Sequence, residues 1–191
     1  MRILRASDHK RMPWKNDGGE TVEIAVSPEE AGLAGFDWRV SMATVAADGP
    51  FSIFPGIDRT LMILGGNGMA LDIEGSAPVL LTMASDPLAF PADVPVSAKL
   101  QDGAITDLNV MTRRQGLAHM LSRIELDGSS SMVLPAPTCL LLCHSGALSF
   151  RRGDETGALA AGDALLIENA AGGVLKIDGN AKCYLASITA S

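Results

Sequence analysis

The chain has 191 residues, 47% of them apolar and 19% charged, with a formal net charge of −7 at neutral pH. That length and apolar content suffice to bury a sizeable core and exclude a disordered chain. The acidic balance argues against a nucleic-acid partner, because a phosphate backbone would be repelled over most of the surface.

Residues 1–20 are charged and broken by Pro13 and by Gly18-Gly19, so they lack the apolar centre of a secretory signal. The longest apolar runs, 79–83 and 139–143, are about a strand long, far below the roughly 18 residues that span a bilayer. The expectation is a soluble, cytoplasmic protein with no membrane partner. From residue 21 onward, short apolar stretches separated by Gly, Pro and Asp recur to the C-terminus, which is the pattern of many short strands. Residues 21–26 alternate, with Val22, Ile24 and Val26 opposing Thr21, Glu23 and Ala25. Residues 38–43 do the same, with Trp38, Val40 and Met42 opposing Arg39, Ser41 and Ala43.

Two stretches then read as one unit written twice. In the first, 61–64 leads through Gly65-Gly66-Asn67-Gly68 into a strand at 70–73, and later into Asp86-Pro87 and Phe90-Pro91-Ala92-Asp93-Val94-Pro95. In the second, 140–142 leads through Ser145-Gly146 into 147–150 and then Gly162-Asp163 before 164–167. Residues 109–125 lack both patterns and form the expected connection. We expect an N-terminal half at 1–112, carrying the pocket, and a linker with a C-terminal half at 113–191. Cys139, Cys143 and Cys183 are odd in number and lie in apolar strand-like surroundings, so reduced thiols packed as small hydrophobes are expected. His9, His119 and His144 are scattered through a loop, the connection and a strand end, and no tetrahedral ligand set is apparent.

The Leu-Gly-Gly-Asn-Gly turn and the Pro-Ala-Asp-Val-Pro phrase, each beside apolar strands, resemble the cupin jelly-roll signature. More specific phrases are Trp14-Lys15-Asn16-Asp17-Gly18-Gly19-Glu20, then Glu23-Ile24-Ala25, then 38–43. Asp48-Gly49-Pro50-Phe51-Ser52 with Phe54-Pro55-Gly56-Ile57-Asp58-Arg59 follows, and then Asp107-Leu108-Asn109-Val110-Met111 with Arg113-Arg114. Together they resemble the HutD/Ves family, over about the first 114 residues. One departure is Asp17, where the family usually has glycine. The resemblance implies an all-β bicupin, two jelly-roll barrels in one chain, and an association with bacterial histidine utilisation as a ligand-binding modulator. It also implies that the usual metal ligands are replaced: Arg59 stands for the carboxylate, Phe54 and Ser52 stand near the imidazole pair, and Val96 stands for the late imidazole. Neither a metal nor another cofactor is therefore expected.

A barrel mouth without metal is still a concave pocket. Trp14, Lys15 and Asn16 form either a capping loop or one whose glycines let backbone approach a ligand. Glu23 and Arg39, on small-residue faces of neighbouring strands, need each other or a ligand. Arg59 either neutralises a bound carboxylate through its fork or bonds Asp58, Asp72 or a backbone carbonyl. Ser41, Ser52 and Asn109 could supply neutral hydrogen bonds. Phe51 and Phe54 form either a pocket wall or ordinary core. The leading expectation is a non-enzymatic protein binding a small anionic or imidazole-derived metabolite such as formylglutamate or urocanate. The alternative is a metal-independent isomerase or hydrolase of a small carboxylic acid, with Glu23 as general base. Cupin-like barrels often dimerise, so the resemblance also allows for a homodimer.

Overall fold

Short alternating segments punctuated by turn residues leave the backbone one economical way to pair its amides, the antiparallel ladder. The structure, a computed structural model, describes residues 1–14 and 18–191. In chain order the strands are β1 (Arg2–Leu4), β2 (Lys10–Pro13), β3 (Gly19–Ser27), β4 (Trp38–Val45), β5 (Gly49–Pro50), β6 (Ile57–Gly65), β7 (Met69–Ile73) and β8 (Val79–Leu81). They continue with β9 (Leu88–Pro91), β10 (Val96–Leu100), β11 (Ile105–Arg113), β12 (Leu117–Val133), β13 (Thr138–Arg152), β14 (Glu155–Ala160), β15 (Ala164–Ile167) and β16 (Val174–Ala190). One 3₁₀ turn, Ala6–Asp8, is the sole helical segment among the described residues, and no helix is long and apolar enough to cross a membrane.

The chain divides into two compact units, one of Lys10–Leu117 with Ser191 and the other of Met1–His9 with Ala118–Ala190. The division thus falls at 117/118, not at 112/113. The first nine residues belong with the C-terminal strands, because Arg2, Ile3 and Leu4 pair with Leu166, Leu165 and Ala164. Asp163 fixes that pairing: its carboxylate accepts Arg5 Nη1 at 2.7 Å and the Ala6 amide at 2.9 Å.

The Lys10–Leu117 unit is a two-sheet sandwich. Its larger sheet runs β2-β3-β4-β11-β6-β9 and its smaller β5-β10-β7-β8. Leu61, Ile63, Val45 and Ile105 of the larger sheet pack with Met69, Leu71, Ile73, Val96 and Ala98 of the smaller in one apolar core. The chain passes from β6 of the larger sheet to β7 of the smaller at the glycine turn. Gly66 has φ +88°, and a Cβ there would lie 2.6 Å from the Ala104 carbonyl oxygen, so only glycine fits.

In the other unit β1-β15-β13-β16-β12 form a sheet to which β14 adds along β13. Its core takes in Leu141 and the free thiols Cys139, Cys143 and Cys183, all without solvent exposure. Burial pushes the Cys183 thiol up to about 12, with Cys143 raising it further, so it stays protonated.

Three expectations are corrected here. The ladders leave every sheet open among the described residues, so neither unit is a closed barrel. The stretch 109–125 is no connection, since it contains the end of β11 and much of β12. Within β12, Leu121 and Leu126 are buried between exposed neighbours, Met120 and Ser122 beside one and Glu125 and Asp127 beside the other, which masks the strand pattern. Ser145-Gly146 is not a turn either. β13 runs straight through it, with a bulge at His144, and pairs continuously with β16.

Candidate anion site on the inner face of the larger sheet

Register decides which side chains share the core-facing side of the larger sheet. Val45 and Ile105 pair with each other and face the core, and alternation then places Ala43, Ser41 and Arg39 of β4 and Asp107, Asn109 and Met111 of β11 on that side. The β6 pairing adds Ile63, Leu61 and Arg59 opposite Asp107, Asn109 and Met111. β3 contributes Glu23 opposite Ser41 and Val26 opposite Arg39, with a bulge between them. The bulge breaks the regular alternation expected for 21–26. Val26 joins the inner face, where it packs beside Phe36, Ile57 and Met111.

The result is a patch of buried polar groups in an apolar core. Arg39 is 5% exposed, Ser41 2%, Arg59 6%, Asp107 1% and Asn109 8%. Buried charges need partners, and here they are satisfied unequally. Arg39 Nε donates to Glu23 Oε2 at 2.6 Å, a buried ion pair that answers the question left open for these two residues. Asn109 Nδ2 donates to Asp107 Oδ1 at 2.6 Å.

Arg59 is different. Its Nε is buried and has no hydrogen-bond partner among the described residues. Neither expected carboxylate takes it: Asp58 accepts Arg114 Nε at 2.7 Å, and Asp72 is exposed on β7. Instead the guanidinium carbon lies 5.3 Å from the Phe51 ring centre, 5.4 Å from Phe54 and 5.8 Å from Phe90. Cation–π attraction to the three rings partly offsets the burial of the charge, and it leaves the Nε–H without an acceptor. Burial lowers the Arg59 pKa to about 10, Asp107 partly opposes that, and Arg39 adds to it. Asp107 moves the other way. Burial pushes it up to about 7, against the pull of Arg59, the Asn109 bond and the Ala43 amide.

The inner face therefore collects Glu23, Arg39, Ser41, Arg59 and Asn109, with Phe51 and Phe54 around Arg59. Trp14 is half-buried against the same core, and its Nε1 donates to Thr21 Oγ1 at 2.9 Å. Ser52 is exposed and outside the cluster. Lys15 and Asn16, with the Asp17 departure, lie outside the described residues. Two members went unread in the sequence, Asp107 and Phe90. The signal for Asp107 was available, since a carboxylate alternating with Ile105 and Met111 stands at a core position.

The donor set does not fit a divalent metal. Its two carboxylates are engaged by Arg39 and Asn109 beside two guanidiniums, and Val96 is core. No group of three or more His, Cys, Asp or Glu side chains placed to hold an ion occurs among the described residues.

A family model described as HutD matches residues 6–185. A 21.2 kDa protein from the hutC 3′ region of Pseudomonas putida is 38% identical over 169 residues, 88% of this chain and 87% of that one. Protein Ves of Citrobacter koseri is 39% identical over 112 residues, 56% of each chain. Among solved structures, a conserved protein of unknown function from Pseudomonas aeruginosa PAO1 superposes with TM-score 0.89 at 36% identity, covering 98% of both chains. HutD from Pseudomonas fluorescens SBW25, described in a formate condition, gives 0.82 at 32% identity over 100% of this chain and 98% of that one. The fold alone is shared with a cupin 2 conserved barrel domain protein from Leptotrichia buccalis, TM-score 0.56 at 13% identity over 87% of each chain.

Proposed function

Given that the chain belongs to the HutD family, we propose that it is a non-enzymatic cupin-type binding protein, whose Lys10–Leu117 unit holds a small carboxylate-bearing metabolite against Arg59. The observation that carries this is the buried Arg59 guanidinium with an unpartnered Nε inside three phenylalanine rings. Leaving a cation in that state costs free energy, and an arriving carboxylate recovers it through a charge-assisted fork. Arg39 cannot play the part, because Glu23 already neutralises it. The same ion pair leaves Glu23 badly placed to act as a general base.

The finer assignment is an intermediate of histidine breakdown, with N-formylglutamate and urocanate first on the list. The family name and the hutC-region relative support that choice. We further take the two units as duplicated cupin-like halves. Support comes from a bulge just before a positive-φ glycine in each, beside Leu64 and Gly66 in one and beside His144 and Gly146 in the other.

The test is a melting-temperature panel with saturating histidine-degradation intermediates and simple carboxylates. A ligand that binds only the folded state raises the midpoint by mass action, by about 2.7 kcal/mol of stability at a hundredfold excess over Kd. We expect a rise for carboxylates and none for uncharged amides of the same shape. No rise with any carboxylate overturns the proposal.

A further inference from the structure

Charge on the inner face can be counted residue by residue. β3 brings Glu23, β4 brings Arg39, β6 brings Arg59 and β11 brings Asp107; at the margins β2 brings Lys10, exposed opposite Glu23, and β11 ends in Arg113, half-exposed and paired with Asp37 at 3.2 Å. β9 offers only Leu88 and Phe90 beside β6, and the smaller sheet faces the patch with Met69, Leu71, Ile73, Val96 and Ala98. Its charged residues Asp72 and Lys99 are exposed. Glu23 and Arg39 cancel at 2.6 Å and Arg113 is paired with Asp37, so among the described buried groups the net charge of the patch is set by Arg59 and Asp107.

Those two do not cancel by contact. Asp107 spends its side-chain hydrogen bond on Asn109, and Arg59 reaches it only through space. With Asp107 ionised, the patch is neutral and a second anion would share the same buried face with a carboxylate. With Asp107 protonated, the patch carries the single charge of Arg59, and one anion restores neutrality. Like charges in a water-excluded interior repel strongly, so the second arrangement is the favourable one.

We propose that a carboxylate enters beside Arg59 together with one proton, which Asp107 accepts, so that the protein binds its ligand in a proton-linked manner. This rests on the Arg59 reading and adds what regulates it. The neutral carboxyl also becomes a hydrogen-bond donor within the same patch. Burial pushes the Asp107 carboxyl up to about 7, so its protonation state changes over the range where cells operate. Affinity is highest below that value and falls as pH rises above it. By linkage, ligand binding raises the Asp107 pKa further.

Isothermal titration calorimetry with N-formyl-L-glutamate, at pH 5.5 and pH 8 in buffers of different ionisation enthalpy, reads the proton directly. The probe's own carboxyls stay ionised at both values, their pKa being about 4. We expect uptake approaching one proton per ligand at pH 8 and well below that at pH 5.5, with Kd weakening by up to about tenfold per pH unit above 7. Asp107→Asn, which keeps an oxygen for Asn109 to donate to, should bind equally at both pH values without proton uptake. Binding with no buffer-dependent heat overturns the inference and leaves the Arg59 reading standing, as does wild-type pH dependence in Asp107→Asn. Failure to bind N-formyl-L-glutamate and every panel carboxylate at either pH removes both. The wild-type measurement is decisive even if the variant does not fold.

Discussion

Arg39 Nε donates to Glu23 Oε2 at 2.6 Å, from the centre of a sheet to a strand that must bulge to bring the carboxylate there. Both side chains are nearly out of solvent, at 6% and 11% exposure. Breaking such a pair leaves one buried charge alone, which costs about 3–5 kcal/mol, whereas replacing both partners by apolar groups is often close to neutral. Glu23→Gln and Arg39→Met should therefore each destabilise strongly in urea titrations, while the double variant costs much less than their sum. Additive losses would mean that the two residues act independently.

Arg59 should behave in the opposite way. Arg59→Met removes a desolvated cation that has no hydrogen-bonded countercharge. It forgoes cation–π contacts worth about 0.5–2 kcal/mol at such a site but also the cost of burying the charge. The ligand-free variant should melt at or above the wild-type temperature and show no rise with carboxylates. Arg59→Lys keeps the charge but not the planar fork, and should bind at least about tenfold more weakly. A ligand-free Arg59→Met that melts well below wild type would mark Arg59 as a structural cation.

Asp107 makes stability fall with pH. Its folded pKa, about 7, lies above the ordinary carboxylate value of about 3.9, so between those two values the native state holds a proton that the unfolded chain releases. The contribution is fully present below about pH 4 and is lost as pH rises through 7, with a slope approaching 1.4 kcal/mol per pH unit. Comparison of wild type with Asp107→Asn at pH 5 and pH 8, without ligand, isolates this group. Wild type should lose stability relative to the variant on going to pH 8. A constant difference would show that Asp107 is ionised throughout.

Much of this site was legible in the sequence because its strands alternate. The faces of 38–43 were readable, so Arg39 and Ser41 were paired with the right side, and Glu23 with them. Arg59 stood out by its chemistry at a position where the resemblance expected a carboxylate. What could not be read was long-range. The bulge after Glu23 depends on the register with β4, and it moves Val26 to the inner face. The pairing of Arg2 to Leu4 with β15 joins residues more than 150 positions apart. Asp107 was hidden differently: it lies in a phrase that carries the family resemblance, and its core position between Ile105 and Asn109 follows only from strand alternation. Ser52 shows the converse, since proximity to an expected ligand position did not bring it into the cluster.

Gly146 tests the duplicated bulge. Its φ is +81°, and a Cβ there would stand 2.1 Å from the Asn180 carbonyl oxygen, with the backbone of Ala181 behind it. No rotamer change relieves that contact, because the obstacle is the neighbouring strand. Gly66 meets the Ala104 carbonyl oxygen and Ile105 in the same way at 2.6 Å, one residue after β6 ends. Gly153 shares the positive φ, at +60°, but has nothing within 4 Å. The left-handed conformation alone costs a non-glycine residue about 1–2 kcal/mol, and forcing strands apart adds about 1–3 kcal/mol. Gly153→Ala should lose only the first amount, while Gly146→Ala and Gly66→Ala lose both, about 3 kcal/mol or more in urea unfolding. If all three cost the same, close strand approach is not what requires glycine. If Gly66→Ala and Gly146→Ala differ widely, the bulge geometry of the two units is not equivalent, and the duplication loses its physical support.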